Sequence, residues 1–458
     1  MIVVQNYIAG SFETEIETID NIGPSTGGKI AKIPRTLDAN ASISAAKEAK
    51  EDWANRTMAD RAKWLGKIAD AIEQRKSELA KVEALDTGKP IEVALNVDID
   101  RCIKNFRFFS EFKSLLSEDE YRMDDATNFV LRKPMGVVAL ITPWNLPLYL
   151  LTWKLAPALL MGNTVVAKPS ELTPLSAHAL CQILEDIQFP KGVINMVHGF
   201  GHEIGQSIIE HPDIDAISFT GGTQTGRIVA KTAAPMFKKL SLELGGKNSS
   251  IILDDADLSI AIPGVVRAGF LNSGQICLCG SRILVHESIY DEFMKEFIPQ
   301  VNHFSIGPVI SESHMQKVLS YIELAKEEGG KILTGGEQSE KDGFYIPPTV
   351  ITGLDPEARC STEEIFGPVV TIHTFQSDEE AIAIANNTDY GLAGSVWSKN
   401  RGRLVSEKIE SGMIWVNTWL HRDLRVPFGG VKDSGLGREG GRWSLDFFSQ
   451  PVNICVMD

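Results

Sequence analysis

Between residues 37 and 85 apolar side chains return every three or four positions, first at Ala39, Ile43, Ala46 and Ala49 to Trp53, then at Leu65, Ile68, Ile72 and Leu79. This helical period predicts amphipathic helices over 37–85 and again over 90–116, with Gly88 and Pro90 marking the break. From residue 136 the pattern changes to short apolar runs: GVVALIT (136–142), TVVAK (164–168), VINMV (193–197) and DAISFT (215–220). They alternate with helical stretches, a βαβ rhythm that predicts a parallel sheet with helices on both faces. A second set follows Glu243: SSIIL (249–253), RILVH (282–286), KILTG (331–335), VVTIHTF (369–375), GSVWS (394–398) and MIWVN (413–417). Two α/β units are expected rather than one very large sheet. ATNFVLRKP (126–134) and QPVNICVMD (450–458) read as strands belonging to neither sheet, each in need of a partner.

A chain of 458 residues, 43% hydrophobic and 23% charged, has the size and composition of a globular protein of about three domain-sized units. Sixty acidic residues against 45 lysines and arginines leave a formal charge of −15, which argues against nucleic acid or an anionic membrane surface as a partner. Local positive pockets remain compatible with it. The six cysteines do not form a disulfide framework in a chain this long. Cys102, Cys181, Cys360 and Cys455 stand singly and read as packing thiols. MIVVQNYIAGSFE has no basic or cleavage-like segment, and LPLYLLTWKLAPALL (146–160) is too short to span a bilayer. A cytoplasmic, reducing location is expected.

Candidate chemistry centres on FLNSGQICLCGSR (270–282) and LELGGKN (242–248). A thiol among glycines and small residues suits attack on a carbonyl, and Glu243, just before a Gly-Gly pair, suits proton removal. Spacing alone does not choose between Cys277 and Cys279. Cys-x-Cys is not zinc spacing and no second Cys/His pair lies near it, so no metal is expected. None of His178, His198, His202 and His211 stands in a motif that would make a Cys–His hydrolase.

With PWNLP (143–147), KPSELTP (168–174), FTGGTQTG (219–226) and EEIFGPV (363–369), these strings occur in one order along almost the whole chain. Together they resemble the NAD(P)-dependent aldehyde dehydrogenase superfamily. The resemblance implies two doubly wound, Rossmann-like parallel-sheet domains plus a small β extension through which subunits associate as a homodimer or homotetramer. It implies an NAD-binding domain from 1–120 and 135–243, a catalytic domain from 244–425, and oligomerisation strands within 121–134 and 436–458. Cys277 is then the nucleophile, Glu243 the general base, and Asn145 the donor to the oxyanion with the Cys277 N–H. Cofactor contacts fall on Thr142, Pro143, Trp144, Lys168, Ser170, Glu171, Phe219, Gly221, Gly222, Gly226, Leu244, Gly245, Glu364 and Phe366. A carboxylate at Glu171 accepts from a ribose hydroxyl and repels a 2′-phosphate, favouring NAD over NADP. Gly222 departs from the family's serine and leaves backbone N–H groups to bind phosphate.

The stretch RDLRVPFGGVKDSGLGREGG (422–441) and the phrase ICLCGSR look most like the 2-aminomuconate and 2-hydroxymuconate semialdehyde dehydrogenases. In that subgroup Arg101 and Arg422 match arginines that hold a substrate carboxylate, with Arg107 and Arg425 as substitutes should the register differ. Guanidinium forks pair bidentately with carboxylates, and an anionic semialdehyde needs a local cation on an acidic protein. The expected reaction is NAD-dependent oxidation of such a small-molecule semialdehyde. Betaine, succinate-type or aliphatic aldehydes, CoA-acylating chemistry and a non-catalytic scaffold stand as rivals. VNHFSIGPVIS (301–311) is shorter than the family's connection, which is expected to trim a surface loop.

Overall fold

The computed structural model describes residues 1–111 and 119–457. Two large sheets dominate it. The first has eight strands in the order Gly435–Leu436, Lys239–Glu243, Ala216–Thr220, Val137–Ile141, Thr164–Lys168, Ile194–Met196, Asn6–Ile8, Ser11–Glu13. Its five central strands run parallel. Strand Val137–Ile141 sends Val138 and Leu140 into one apolar cluster and Val137 and Ala139 into another. Both faces are buried, which is why this segment reads as an unbroken apolar run. Helices Met58–Gln74, Asp100–Glu111 and Pro147–Leu160 contribute to the first cluster; Asn40–Asn55 and Thr223–Ala233 contribute to the second.

The second sheet has seven strands in the order Lys331–Thr334, Thr349–Thr352, Val369–Phe375, Arg282–His286, Ser249–Ile252, Ala393–Trp397, Met413–Val416. All pairings are parallel except that of Lys331–Thr334. Each of the six runs expected here falls in this sheet. Thr349–Thr352 was not expected, because four residues behind Pro347 and Pro348 carry too little pattern.

The helical region differs from its expectation in detail. Residues 37–85 hold parts of three helices, Asn40–Asn55, Met58–Gln74 and Lys76–Thr87, the second opened by Thr57 Oγ1 accepting from Asp60 N–H at 3.1 Å. Gly88 ends the third in a left-handed conformation (φ 72°). The next helix opens with a short α-helical turn, Ile91–Val93, and continues through a π-helical stretch, Ala94–Ile99, that includes the buried Asp98; the expected residues 112–116 lie outside the described ones. The run 146–160 is an interior helix, Pro147–Leu160, with nearly every side chain buried, Lys154 included. Among the described residues no helix is long and apolar enough to cross a membrane.

The two orphan strands pair with each other: Ser449–Met457 runs antiparallel to Ala126–Pro134, which also pairs with Asp119–Arg122. The expectation for 436–458 needs narrowing. Leu436 belongs to the edge of the eight-stranded sheet, and Gly441–Phe447 is a helix whose Leu445 and Phe447 join the first cluster. The three-stranded N-terminal sheet (Ile2–Val3, Gly28–Pro34, Thr18–Gly23) was not expected from the sequence.

Candidate active site

Chain order reverses at Val137–Ile141, whose neighbours are the next strand, Thr164–Lys168, and the much later Ala216–Thr220. The loops leaving the carboxyl ends of these strands diverge there, and open α/β sheets bind ligands at such a point. A cleft of about 660 Å³ occupies it. Thirteen of the fourteen expected cofactor residues line its wall, from Thr142, Pro143 and Trp144 through Lys168, Ser170 and Glu171, then Phe219, Gly221 and Gly222, to Leu244, Gly245, Glu364 and Phe366. Gly226 does not. It lies on helix Thr223–Ala233, where an added Cβ would stand 2.4 Å from Leu244 Cδ2, so its bareness serves helix packing.

Helix Thr223–Ala233 starts directly after Gly221 and Gly222, so its unsatisfied N–H groups face the cleft. A Cβ at Gly222 would meet nothing within 4 Å. Thr142 and Thr220 also line the cleft, and their hydroxyls are buried without a hydrogen-bond partner among the described residues. Lys168 Nζ pairs with Glu171 at 2.8 Å. Glu364 Oε1 accepts from Gly246 N–H at 2.8 Å, and an added Cβ at Gly245 would strike the Glu364 carboxylate, so that turn and that carboxylate are fitted together. Burial pushes the Glu364 carboxyl up. Phe366 holds a left-handed backbone (φ 62°), its carbonyl accepting from His314 Nε2 at 2.7 Å; the Trp144 ring meets both edge-on. Burial lowers His314 to about 4, so it stands neutral on the cleft wall.

The structure separates the two cysteines. Cys277 lines the cleft, whereas Cys279 is buried in an apolar cluster with its sulfur 3.9 Å from the Leu271 carbonyl. Asn248 Nδ2 donates to the Cys277 and Cys279 carbonyls at 2.7 and 2.9 Å, pinning this loop against the Gly245–Gly246 turn. The Cys277 thiol is pushed up by burial, then by the Glu364 and Glu243 carboxylates, with Arg422 opposing. Asn145 is buried, and its Nδ2 donates to the Gln275 carbonyl at 3.0 Å, two residues before Cys277. Glu243 closes its strand beside the cleft rather than on its wall. Neither of its oxygens has a hydrogen-bond partner among the described residues. Burial and the neighbouring Glu439 hold its carboxyl well above the usual range, with Lys154, Arg438 and Arg422 opposing.

Arg101 and Arg422 meet at one side chain. Arg422 Nη1 donates to the Tyr149 hydroxyl at 3.1 Å, and the Arg101 guanidinium lies 5.7 Å from the centre of the Tyr149 ring. Trp153 and Phe428 flank the Arg422 guanidinium at 4.4 and 4.2 Å, and its Nη2 is buried without a partner among the described residues. Neither arginine lines the cofactor-side cleft. The substitutes are spoken for: Arg107 pairs with Asp70 and Glu73, and Arg425 with Asp423.

Several site residues escaped the sequence reading. His314, Lys317, His202 and Gln206 line the cleft but stand in no motif. Lys154 Nζ is bonded to Glu439 at 2.5 Å and to Ser218 Oγ at 2.8 Å, beside Glu243. A lone lysine in the apolar run 146–160 was its one available signal, since buried cations need partners. The contracted connection is exposed at Asn302, His303 and Ser305 and turns inward at its end. The Gly307 and Pro308 carbonyls accept from Ser273 Oγ and Gln275 Nε2, and Ile310 N–H donates to Gln275 Oε1.

Two α/β units thus frame a cleft with a thiol on its wall and a buried carboxyl beside it. The sequence profile of the aldehyde dehydrogenase family matches residues 12–454, and the chain belongs to that family. It is 45% identical to the 2-aminomuconic semialdehyde dehydrogenase of Danio rerio, across 99% of this chain and 98% of that protein. It is 41% identical to the 2-hydroxymuconic semialdehyde dehydrogenase of Pseudomonas sp. (strain CF600), across 99% of both. An aldehyde dehydrogenase from Bacillus cereus, solved as its NAD+ complex, superposes with a TM-score of 0.97 at 38% identity, covering 99% of this chain and 96% of that one.

Proposed function

We propose that this protein oxidises a carboxylate-bearing semialdehyde, of the 2-aminomuconate or 2-hydroxymuconate type, to the corresponding acid with NAD. The observation that carries the substrate class is the Arg422 guanidinium, fixed between two rings and on the Tyr149 hydroxyl, with a buried N–H group left over. An unpaired buried donor on a cation is costly unless an anion completes it, and a substrate carboxylate is that anion. Arg101, on the same tyrosine, supplies a second positive charge.

NAD fits the residues present: the Thr223 helix start and the open space at Gly222 suit a pyrophosphate, and the Glu171 carboxylate suits a ribose without a 2′-phosphate. When bound, it supplies the acceptor for the hydrogen that the aldehyde loses as hydride. The Cys277 thiol releases its proton through the neighbouring Glu243 carboxylate to solvent. The resulting thiolate adds to the aldehyde carbon, and the oxygen gathers negative charge. The second Asn145 amide N–H, with the Cys277 N–H, takes that charge, a donation worth roughly 3 kcal/mol in comparable sites. Glu243 acts on the thioester that Cys277 then carries. It removes a proton from water as the water oxygen adds to the acyl carbon, and the carbon–sulfur bond breaks to release the acid and restore Cys277.

In this reading residues 1–120 and 135–243 carry the cofactor and 244–425 the nucleophile. The paired strands Ala126–Pro134 and Ser449–Met457 join copies into a homodimer or homotetramer in the cytoplasm. The test is NADH formation across a panel of neutral aldehydes and mono- and dicarboxylic semialdehydes. Equal kcat/KM for neutral and carboxylated members would overturn the substrate class.

A further inference from the structure

The turn carrying Asn145 follows the first sheet and the loop carrying Cys277 belongs to the second unit, yet a closed set of hydrogen bonds joins them. Asn145 Nδ2 and Asn272 Nδ2 both donate to the Gln275 carbonyl, at 3.0 and 3.3 Å. Asn272 Nδ2 also donates to the Asn145 backbone carbonyl at 3.2 Å, and Lys89 Nζ donates to that same backbone carbonyl at 3.1 Å. Lys89 is buried, and its ammonium is fixed at 2.6 Å by Asp98, which is fully buried. Asn272 and Ser273 both hold left-handed backbone, at φ 53° and 58°, just before Cys277. Side chains rarely sit there unless their surroundings over-determine the conformation, and such strain gathers at functional sites. Asparagine tolerates the left-handed region better than most residues, and here its amide also bridges the two loops.

We propose that Asn272 and Lys89 are positioning residues for the oxyanion donor. Lys89 and Asn272 hold the Asn145 backbone carbonyl. Asn272 also shares with the Asn145 amide the Gln275 carbonyl, on which one Asn145 side-chain N–H is spent. The backbone that carries the amide and its one anchor are therefore both fixed, and the second N–H is left to point away from Gln275. Near-ångström errors in such a group cost large factors in rate, because the donor must meet the oxygen where charge develops. Neither residue touches substrate; both act through Asn145. The proposal rests on the roles given above to Asn145 and Cys277.

The experiment is a double-mutant cycle on the full chain, using the best aldehyde of the panel. Asn272→Gly keeps the left-handed backbone and removes the amide. It is measured alone, with Asn145→Ala, and beside Asn145→Ala alone. The expected result is a fall in kcat of about tenfold or more for Asn272→Gly, with the KM for NAD shifting less than about twofold. In the Asn145→Ala background the same change should add less than about twofold, because residues acting as one unit are not additive. A paired Lys89→Met, Asp98→Asn variant, which removes both buried charges together, should behave alike; thermal melts establish that each variant is folded. Near-normal kcat in Asn272→Gly, or a full multiplicative loss on top of Asn145→Ala, overturns the proposal. Normal kcat in Asn145→Ala alone overturns the reading of Asn145 and this inference with it. Should the Lys89 pair fail to fold, the Asn272 cycle decides.

Discussion

Arg422 Nη1 donates to the Tyr149 hydroxyl at 3.1 Å, and the ring of that tyrosine also lies under Arg101. One aromatic side chain therefore sets the geometry of two cations. Charged hydrogen bonds contribute about 1.5–3 kcal/mol each, or roughly 10- to 150-fold in affinity. Arg422→Ala and Arg101→Ala should each raise KM for carboxylated semialdehydes by at least about tenfold and leave neutral aldehydes within about threefold. Tyr149→Phe, losing one hydrogen bond and keeping the ring, should have a smaller effect of the same selectivity. Steady-state kinetics on both substrate classes checks this; equal losses on neutral aldehydes would refute the clamp.

Glu243 makes turnover pH-dependent. Burial raises its folded-state pKa, so at low pH it holds its proton and cannot act as a base. Turnover limited by thioester hydrolysis should climb about tenfold per pH unit until that pKa is passed. Glu243→Gln should retain a burst of NADH near one equivalent, lose about a hundredfold or more in steady-state rate, and flatten this limb. The stability effect has a defined sign as well. An unfolded glutamate releases its proton above about 4.3, while the folded one keeps it to higher pH, so Glu243 costs stability increasingly as pH rises through that window. Glu243→Gln should melt above the parent by a margin that grows as pH rises above about 4.3.

Glu171 should govern the choice of dinucleotide. It is partly exposed on the cleft wall and paired with Lys168 at 2.8 Å. Replacing it by glutamine removes the charge that opposes a 2′-phosphate and frees Lys168 to meet one. The NAD to NADP ratio of kcat/KM should fall by about tenfold or more, mostly through a lower KM for NADP. An unchanged ratio would place the ribose elsewhere.

Gly274 is the least replaceable position in the nucleophile loop. Its φ is 71°, and a Cβ would stand 2.0 Å from the Gly367 carbonyl oxygen, which is backbone and cannot swing aside. Gly274→Ala should cost at least about 2 kcal/mol, from left-handed strain plus the clash, and lower the melting temperature by several degrees. Asn272→Gly, in the same run of left-handed residues, relieves strain and should not.

The strands of both sheets were readable because each is a short apolar run buried on two faces, a signal carried by consecutive residues such as Val137–Ile141 and Ser249–Ile252. Glycine-rich turns and the Cys277 loop were readable for a related reason, since their chemistry is compressed into a few adjacent positions. Gly226 lies off the cleft wall against Leu244, and a glycine bare for packing and one bare for a ligand look alike in a string. Thr18–Gly23 and Gly28–Pro34 carry exposed positions in place of an apolar run, and Thr349–Thr352 is only four residues long, so none of them gives a local signal.

The order of motifs and the two α/β units were thus written into local sequence, whereas the choice of Cys277, Glu243 and Asn145 as nucleophile, base and amide came from the family resemblance those motifs carry. Tertiary structure alone put Cys277 on the cleft and Cys279 in the core, brought Arg101 and Arg422 to one tyrosine, and turned the 307–310 segment into a brace for the Cys277 loop. These are contacts between residues tens to hundreds of positions apart. Their energies come from burial and hydrogen-bond geometry, and both exist only once the chain has closed on itself.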